Sequence, residues 1–138
     1  MEFDVRATGP DLNLQVKLDG NIIWDGYPDL EVQTVSHDFD DDAEQDHVLE
    51  FLMHNKLPEH TVIDSTGMIL QDRCIHISRM CFDDIELGHT FHEITQYYHD
   101  HNGTTDPITD QFYGTMGCNG RIEMRFSTPI YLWLLENL

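Results

Sequence analysis

Apolar and polar side chains alternate along residues 1–18. The apolar positions of this segment are Met1, Phe3, Val5, Ala7, Leu12, Leu14, Val16 and Leu18. The positions between them carry Glu2, Asp4, Arg6, Asn13, Gln15 and Lys17. A period of two places every second side chain on the same face of a strand, so the pattern predicts two half-buried strands that form a β-hairpin.

Further short runs of apolar residues predict strands along the rest of the chain. These runs cover residues 22–24, 32–39, 47–54, 74–82 and 121–126. The last run alternates most clearly, with Ile122, Met124 and Phe126 on the face opposite to Arg121 and Arg125. Many short strands separated by turn residues are typical of two antiparallel sheets packed face to face. We therefore predict an all-β fold, an antiparallel β-sandwich of jelly-roll type.

Three segments are patterned less clearly. Residues 55–73 contain a proline and a Ser-Thr-Gly turn, which suits a crossover between sheets. Residues 91–98 fit either a strand or a helical turn, and we favour the strand. The apolar run 130–135 follows Pro129 and fits a strand or a one-turn helix. Since no linker or repeat interrupts the chain, we expect residues 1–138 to form one domain.

The composition narrows the choice of partners. The chain has 138 residues, of which 40 % are hydrophobic and 10 % aromatic, and this is enough to bury a core. Its 26 acidic and 7 basic residues give a formal net charge of −19. A field of this sign repels phosphate backbones and anionic lipid headgroups and attracts cations and basic protein surfaces. We therefore expect neither nucleic acid nor a membrane as a partner.

Cysteine usage and motif content favour a reduced, non-catalytic protein. Cys74, Cys81 and Cys118 form no C-x-x-C pair and are odd in number, which predicts free thiols rather than a disulfide framework or a zinc knuckle. The N-terminal residues lack a signal-peptide pattern and no apolar run spans a membrane, so we expect synthesis in a cytoplasm. Neither a nucleophile elbow nor a phosphate-binding glycine loop occurs, and we expect no enzymatic activity and no obligatory cofactor.

An acidic run after the fourth predicted strand is the first candidate ligand site. Asp38, Asp40 and Asp42 match the first half of an EF-hand loop, because closely spaced carboxylates supply the oxygen ligands that calcium prefers. The match ends at Ala43 and Leu49, where such a loop requires glycine and glutamate. These residues therefore predict either a calcium site or a solvated acidic loop.

Histidines form the second candidate site. His89 and His92 lie shortly before His99 and His101, which would share one face of a strand. Imidazoles that point to the same side can bind a transition metal. No third ligand at a fixed spacing accompanies them, so exposed loop histidines are the alternative interpretation.

The apolar C-terminal run is the third candidate. It contains Tyr131, Trp133 and Leu135. Either the run closes the sandwich as a last strand or it docks on a neighbouring subunit. Large aromatic and aliphatic side chains anchor subunit interfaces. We therefore assign residues 129–138 as a candidate assembly interface, with these three residues as its anchors.

One resemblance points to carbohydrate binding. Residues 5–9 have the pattern V-R-A-x-G, residues 14–20 have the pattern L-x-V-x-x-D-G, and an Ile-Glu-Leu strand follows at 85–87. Over residues 1–88 the chain resembles the calcium-dependent xylan-binding type of carbohydrate-binding module. The resemblance implies a jelly-roll sandwich in which calcium, held by acidic loop residues, contacts sugar hydroxyls.

A second resemblance covers the whole chain, including residues 112–120 and 129–136. The chain is similar to small proteins of marine tailed phages that infect cyanobacteria, and this resemblance implies a virion component. We therefore expect a non-catalytic structural protein of a tailed-phage virion, a decoration, neck, tail or fibre subunit made in the host cytoplasm. Its partners would be other virion proteins, in a homo- or hetero-oligomeric assembly. The alternative is a calcium-dependent carbohydrate-binding module whose partners are glycans.

Overall fold

The computed structural model describes residues 1–138, which form mostly short strands. In chain order these are β1 (Glu2–Ala7), β2 (Leu14–Leu18), β3 (Asn21–Gly26), β4 (Gln33–Ser36), β5 (Gln45–Met53), β6 (Thr61–Ile63), β7 (Ile69–Asp72), β8 (Ile75–Phe82), β9 (Ile85–Glu86), β10 (Thr95–His99), β11 (Ile108–Gln111), β12 (Thr115–Met116) and β13 (Gly120–Thr128). The helical elements are a 3₁₀ turn (Pro58–His60), α1 (His89–Ile94) and α2 (Ile130–Asn137). None of these helices has the length and apolar character needed to cross a membrane.

Most strands belong to two antiparallel sheets. The five-stranded sheet has the order β12-β8-β1-β4, with β9 paired to β8. The six-stranded sheet has the order β11-β10-β13-β5-β2-β3. Strands β6 and β7 pair only with each other. The predicted all-β, antiparallel sandwich is confirmed, whereas its jelly-roll connectivity stays a prediction.

The core lies between the two sheets. Phe3 of β1 meets Phe51 of β5 edge to face, with the ring centroids 5.1 Å apart. The apolar positions that alternate along the N-terminal strands are buried, namely Phe3, Val5, Ala7, Leu14, Val16 and Leu18. In all, 25 buried hydrophobic residues from both sheets, the two α-helices and their connecting loops form one continuous cluster. The predicted faces of these strands are therefore the faces that pack.

Strands β1 and β2 do not form the predicted hairpin. β1 pairs with β4 and β8, whereas β2 pairs with β3 and β5 in the other sheet. Between them Pro10 has no N–H to donate to a ladder, and Asp11 takes a left-handed φ of 73°. Leu12 inserts into the core. The two strands were predicted correctly and their pairing wrongly, because alternation defines the buried face but not the neighbouring strand.

Residues 91–98 divide between a helix and a strand. α1 ends at Ile94 and β10 begins at Thr95, so the predicted strand is wrong for the first half of this segment. Phe91 is buried against Phe112, with ring centroids 5.9 Å apart. The sequence of this segment fits a period of two and a helical period, because Phe91 and Ile94 also lie three residues apart. In the structure the first half is helical, and Phe91 packs in the core.

The C-terminal apolar run forms the helix α2. Of the two predicted alternatives, a strand or a helix, the structure therefore has the helix. Trp133 is 8 % exposed, and its ring lies 5.9 Å from that of Phe82 and 6.3 Å from that of Phe126. Trp133 is therefore a core residue, which corrects its assignment as an interface anchor. Tyr131 and Leu135, on the outer side of the helix, are 62 % and 64 % exposed, and their role in an interface stays a prediction.

Candidate functional site

The predicted calcium ligands lie in the loop between β4 and β5. Asp38, Asp40 and Asp42 are exposed, and the Asp40 carboxylate accepts a hydrogen bond from the Asp42 N–H at 2.9 Å. The structure does not gather their carboxylates into a group of facing ligands. Asp41 instead accepts a hydrogen bond of 2.6 Å from the N–H of Ile130, which fastens the loop to the start of α2. Calcium binding by the three predicted residues stays a prediction.

The predicted histidines separate into two places. His89 and His92 lie on α1, whereas His99 and His101 lie together, with ring centroids 4.6 Å apart. Cys118 joins the second pair, and one donor atom from each of the three side chains lies within 4.8 Å of the others. Burial raises the pKa of the Cys118 thiol. The sequence indicated the two histidines, and no spacing rule connected the distant cysteine to them.

A two-stranded ribbon stands apart from both sheets. It comprises β6, β7 and the turn between them, and we refer to residues 61–72 as the ribbon. Its five large hydrophobic side chains are all exposed, namely Val62 (43 %), Ile63 (57 %), Met68 (65 %), Ile69 (59 %) and Leu70 (60 %). The stretch 55–73, predicted as a simple crossover, thus contains a hairpin. The signal for it was two short apolar runs on either side of a Ser-Thr-Gly turn.

The tip of the ribbon is fixed by Asp64. One oxygen of its carboxylate accepts hydrogen bonds from the Thr66 hydroxyl at 2.6 Å, the Thr66 N–H at 2.8 Å and the Met68 N–H at 3.0 Å. These bonds, the Thr66 hydroxyl foremost, hold the pKa of Asp64 below its ordinary value. Gly67 takes a φ of 88°, which a residue with a side chain rarely adopts. The tip therefore has a locally specified conformation.

The base of the ribbon is fixed by an ion pair. The Lys56 ammonium lies 2.7 Å from the Asp72 carboxylate, and the Lys56 side chain is only 2 % exposed. The Thr61 hydroxyl donates to the same carboxylate oxygen at 2.7 Å. Burial raises the pKa of Asp72, but the hydrogen bonds from Lys56 and Thr61 outweigh burial, so this pKa lies below its ordinary value. Lys56 also donates to the Gly117 carbonyl, which links the ribbon base to the segment before β13.

A groove of about 330 Å³ beside the ribbon is lined by ribbon residues, by residues 8–10 and by Leu30 of the loop of residues 27–32. Leu30 and Val62 supply its hydrophobic lining. Leu30 is 61 % exposed, and Tyr27 and Val32 of the same loop are also exposed. Leu30 of this loop and Val62 of the ribbon therefore lie on the same groove, whose other lining residues include Glu59 and Arg73.

Comparison with known proteins identifies no relative of the chain. No family model matches it, and no curated protein or solved structure is significantly similar to it. Its function is therefore inferred from its own residues and their geometry.

Proposed function

We propose that the protein is a non-catalytic structural protein of a tailed-phage virion and that the ribbon is its main assembly contact. The observation that supports the proposal is a ribbon fixed at its tip and base whose five large hydrophobic side chains are exposed. An isolated two-stranded hairpin is marginally stable in water, and a contiguous exposed apolar patch is typical of a protein-binding surface. A segment held in place beforehand loses little entropy when a partner covers it.

The kind of assembly is inferred from the sequence. The phage particle is proposed on the resemblance noted in the sequence, including residues 112–120 and 129–136, to proteins of marine tailed phages. In such a particle the protein would be a decoration, neck, tail or fibre subunit, and it would reach the virion from the host cytoplasm. A net charge of −19 keeps a protein soluble in surroundings rich in cations.

The charge favours a different virion protein over a second copy as the partner. Two copies that each carry −19 repel one another. The ribbon contains no basic residue, and of its two carboxylates Asp64 lies in no ion pair, whereas Asp72 is paired with Lys56 at the base. Complementary interfaces combine an apolar centre with a rim of opposite charge. We therefore infer a partner with an apolar groove that is rimmed by Lys or Arg.

Incorporation into particles tests the proposal. Phage particles would be produced with the wild-type protein or with an Ile69→Ser, Leu70→Ser double variant, and quantitative mass spectrometry of the purified particles would give the copy number. We expect the double variant to lose at least about tenfold in copy number, the loss expected for removing interface anchors. The matched control replaces two exposed hydrophobic residues outside the ribbon, Ile22→Ser with Ile85→Ser, and should incorporate normally.

Three outcomes would revise the proposal. Absence of the wild-type protein from purified particles would contradict the virion role. Normal incorporation of a folded ribbon variant would contradict the ribbon as the contact. Sedimentation velocity of the purified protein should show a monomer, and a dimer that the ribbon variant abolishes would assign the ribbon to a contact between copies.

A further inference from the structure

Three metal-binding side chains meet at one end of the six-stranded sheet. His99 is the last residue of β10, His101 follows in the next turn, and Cys118 lies just before β13. One donor atom from each side chain lies within 4.8 Å of the other two. Tetrahedral zinc has ligands at about 2.0 to 2.3 Å, which places its donor atoms about 3 to 4 Å apart. A small inward movement of the three side chains therefore suffices to surround an ion.

A carboxylate orients His99 so that this side chain can bind a metal ion. Its ring Nε2 lies 2.8 Å from the carboxylate of Asp110, and the His99 side chain is 6 % exposed. The His101 N–H donates to His99 Nδ1 at 3.2 Å, so Nδ1 carries the lone pair and Nε2 carries the proton. A histidine that donates its second ring N–H to a carboxylate is the usual arrangement of a zinc ligand. A metal ion would replace the long backbone contact at Nδ1.

Cys118 is held by backbone contacts of its own. Its N–H donates to the Tyr97 hydroxyl at 3.0 Å, and this hydroxyl in turn donates to the Cys118 carbonyl. The next residue, Asn119, donates its N–H to the Asn102 side chain at 2.8 Å, which ties the Cys118 segment to the turn after β10. Both chain segments that supply ligands are therefore positioned relative to each other without a metal.

The types of ligand favour a transition metal such as zinc over calcium or magnesium. Imidazole nitrogen and thiolate sulfur suit zinc, whereas calcium and magnesium prefer oxygen. The surroundings also favour a cation, because Asp100 and Asp110 lie beside the cluster and the chain carries −19. The nearest ammonium, that of Lys56, is already paired with Asp72.

We propose that His99, His101 and Cys118 bind one zinc ion, with water in the fourth position. The ion would fasten the turn after β10 to the segment before β13, beside the Lys56 contacts that lead to the ribbon base. His101 is exposed, so the ion can enter from solvent without opening the core. This site is independent of virion assembly, and its test requires only the purified chain.

The site is tested by titrating the purified protein with zinc alone at neutral pH and measuring the heat of binding by isothermal titration calorimetry. We expect one zinc ion per wild-type chain. His101→Asn and Cys118→Ser should each weaken binding by more than about 100-fold, and Asp110→Asn by about tenfold, the range found for residues that orient a ligand. Asparagine is chosen at residue 101 because it tolerates the left-handed φ of 51° that His101 adopts.

Matched controls separate this site from general zinc binding. His89→Ala removes an exposed histidine outside the cluster, and Cys81→Ser removes another thiol, so both should bind zinc as the wild type does. A measurement on the wild-type protein avoids any folding defect of a variant. Zinc should slow the alkylation of Cys118, measured by mass spectrometry, and should not change the alkylation of Cys81. No stoichiometric zinc binding, unchanged affinity in folded His101→Asn, or equal alkylation of Cys118 with and without zinc would overturn the proposal.

Discussion

The C-terminal helix and the ribbon are both rich in large hydrophobic side chains, but they expose them very differently. α2 turns Ile130, Trp133 and Leu134 into the core, and the largest of these is 8 % exposed. The ribbon leaves every one of its five large hydrophobic side chains at least 43 % exposed. The outer side of α2 is as exposed as the ribbon, since Tyr131, Leu132 and Leu135 are 62 %, 53 % and 64 % exposed on a helix whose inner side is buried.

The presence of a neighbouring element accounts for the difference. α2 packs on β13, Trp133 contacts Phe126 of β13 and Phe82 of β8, and Asp41 accepts a hydrogen bond from the first N–H of the helix. The ribbon has polar anchors at its tip and base, but its strands pair with no other strand. Hydrophobic content thus indicates that a segment is stabilised when other residues bury it. The fold determines whether those residues belong to the same chain.

The largest expected effect is at Trp133. Trp133→Ala should lower the free energy of unfolding by about 3 to 5 kcal/mol, because the substitution leaves a cavity between Phe82 and Phe126. Urea denaturation followed by circular dichroism measures this loss. Tyr131→Ala on the outer side of the same helix is the control, and its effect should stay within about 0.5 kcal/mol. Equal losses in the two variants would contradict the inward position of Trp133.

A smaller effect is expected at the base of the ribbon. Asp72→Asn should lower the free energy of unfolding by about 2 kcal/mol at neutral pH, because the buried Lys56 ammonium loses its charged partner. The pKa of Asp72 is lower in the folded chain than in the unfolded chain. The ion pair therefore stabilises the fold fully at pH values above the unfolded-state pKa, and this stabilisation is lost as the pH falls through the folded-state pKa.

Urea denaturation over a series of pH values checks this dependence. The difference in stability between wild type and Asp72→Asn should shrink below about pH 4, where the carboxyl of the unfolded chain takes up its proton. Asp42→Asn, a change at an exposed carboxylate in no ion pair, is the control and should follow the wild type. A difference that stays constant into acid would show that the ion pair does not stabilise the ribbon base.

Within the ribbon itself the expected effect on stability is small. Leu70→Ser should change the free energy of unfolding by less than about 0.5 kcal/mol, because Leu70 is 60 % exposed. Leu134→Ser, at a buried leucine of α2, is the matched comparison and should cost several times more. A large loss in Leu70→Ser would mean that the ribbon is covered in the isolated protein, and the contrast with α2 would fail.

The smallest expected effect concerns the acidic loop that anchors α2. Calcium and magnesium at equal concentration should raise the thermal unfolding midpoint equally, because Asp38, Asp40 and Asp42 are not gathered around one point. A calcium site at 100 times its dissociation constant would add about 2.7 kcal/mol of stability. A rise specific to calcium that Asp40→Asn abolishes would instead support the carbohydrate-binding alternative.

Much of the strand structure could be predicted from local pattern. Alternation along β1, β2, β5 and β13 indicated the buried face of each strand, because the side-chain period is a property of the extended backbone. The pairing of β1 could not be predicted in this way. Its neighbours β4 and β8 lie farther along the chain, and residues 8–13 carry the chain from β1 to the other sheet, where β2 pairs with β3 and β5.

The candidate site was less accessible to sequence reasoning. The ribbon consists of two runs too short to show a periodic pattern, and the sequence there predicted a crossover between sheets and not a hairpin. His99 and His101 stood out by their spacing, whereas Cys118 has no partner near it in sequence and joins them only through the pairing of β10 with β13. Trp133 carried an ambiguous signal, because an apolar terminal run fits a core and an interface equally well.

By itself, the sequence determined the all-β class, the buried face of the clearest strands and the acidic surface, since these depend on composition and on residues one or two positions apart. Tertiary structure alone decided that β1 and β2 belong to opposite sheets, that Trp133 is inside and the ribbon outside, and that a cysteine meets two histidines. Each of those depends on contacts between residues that are distant along the chain. Such contacts arise only when the sheets pack and their edges and ends are placed in space.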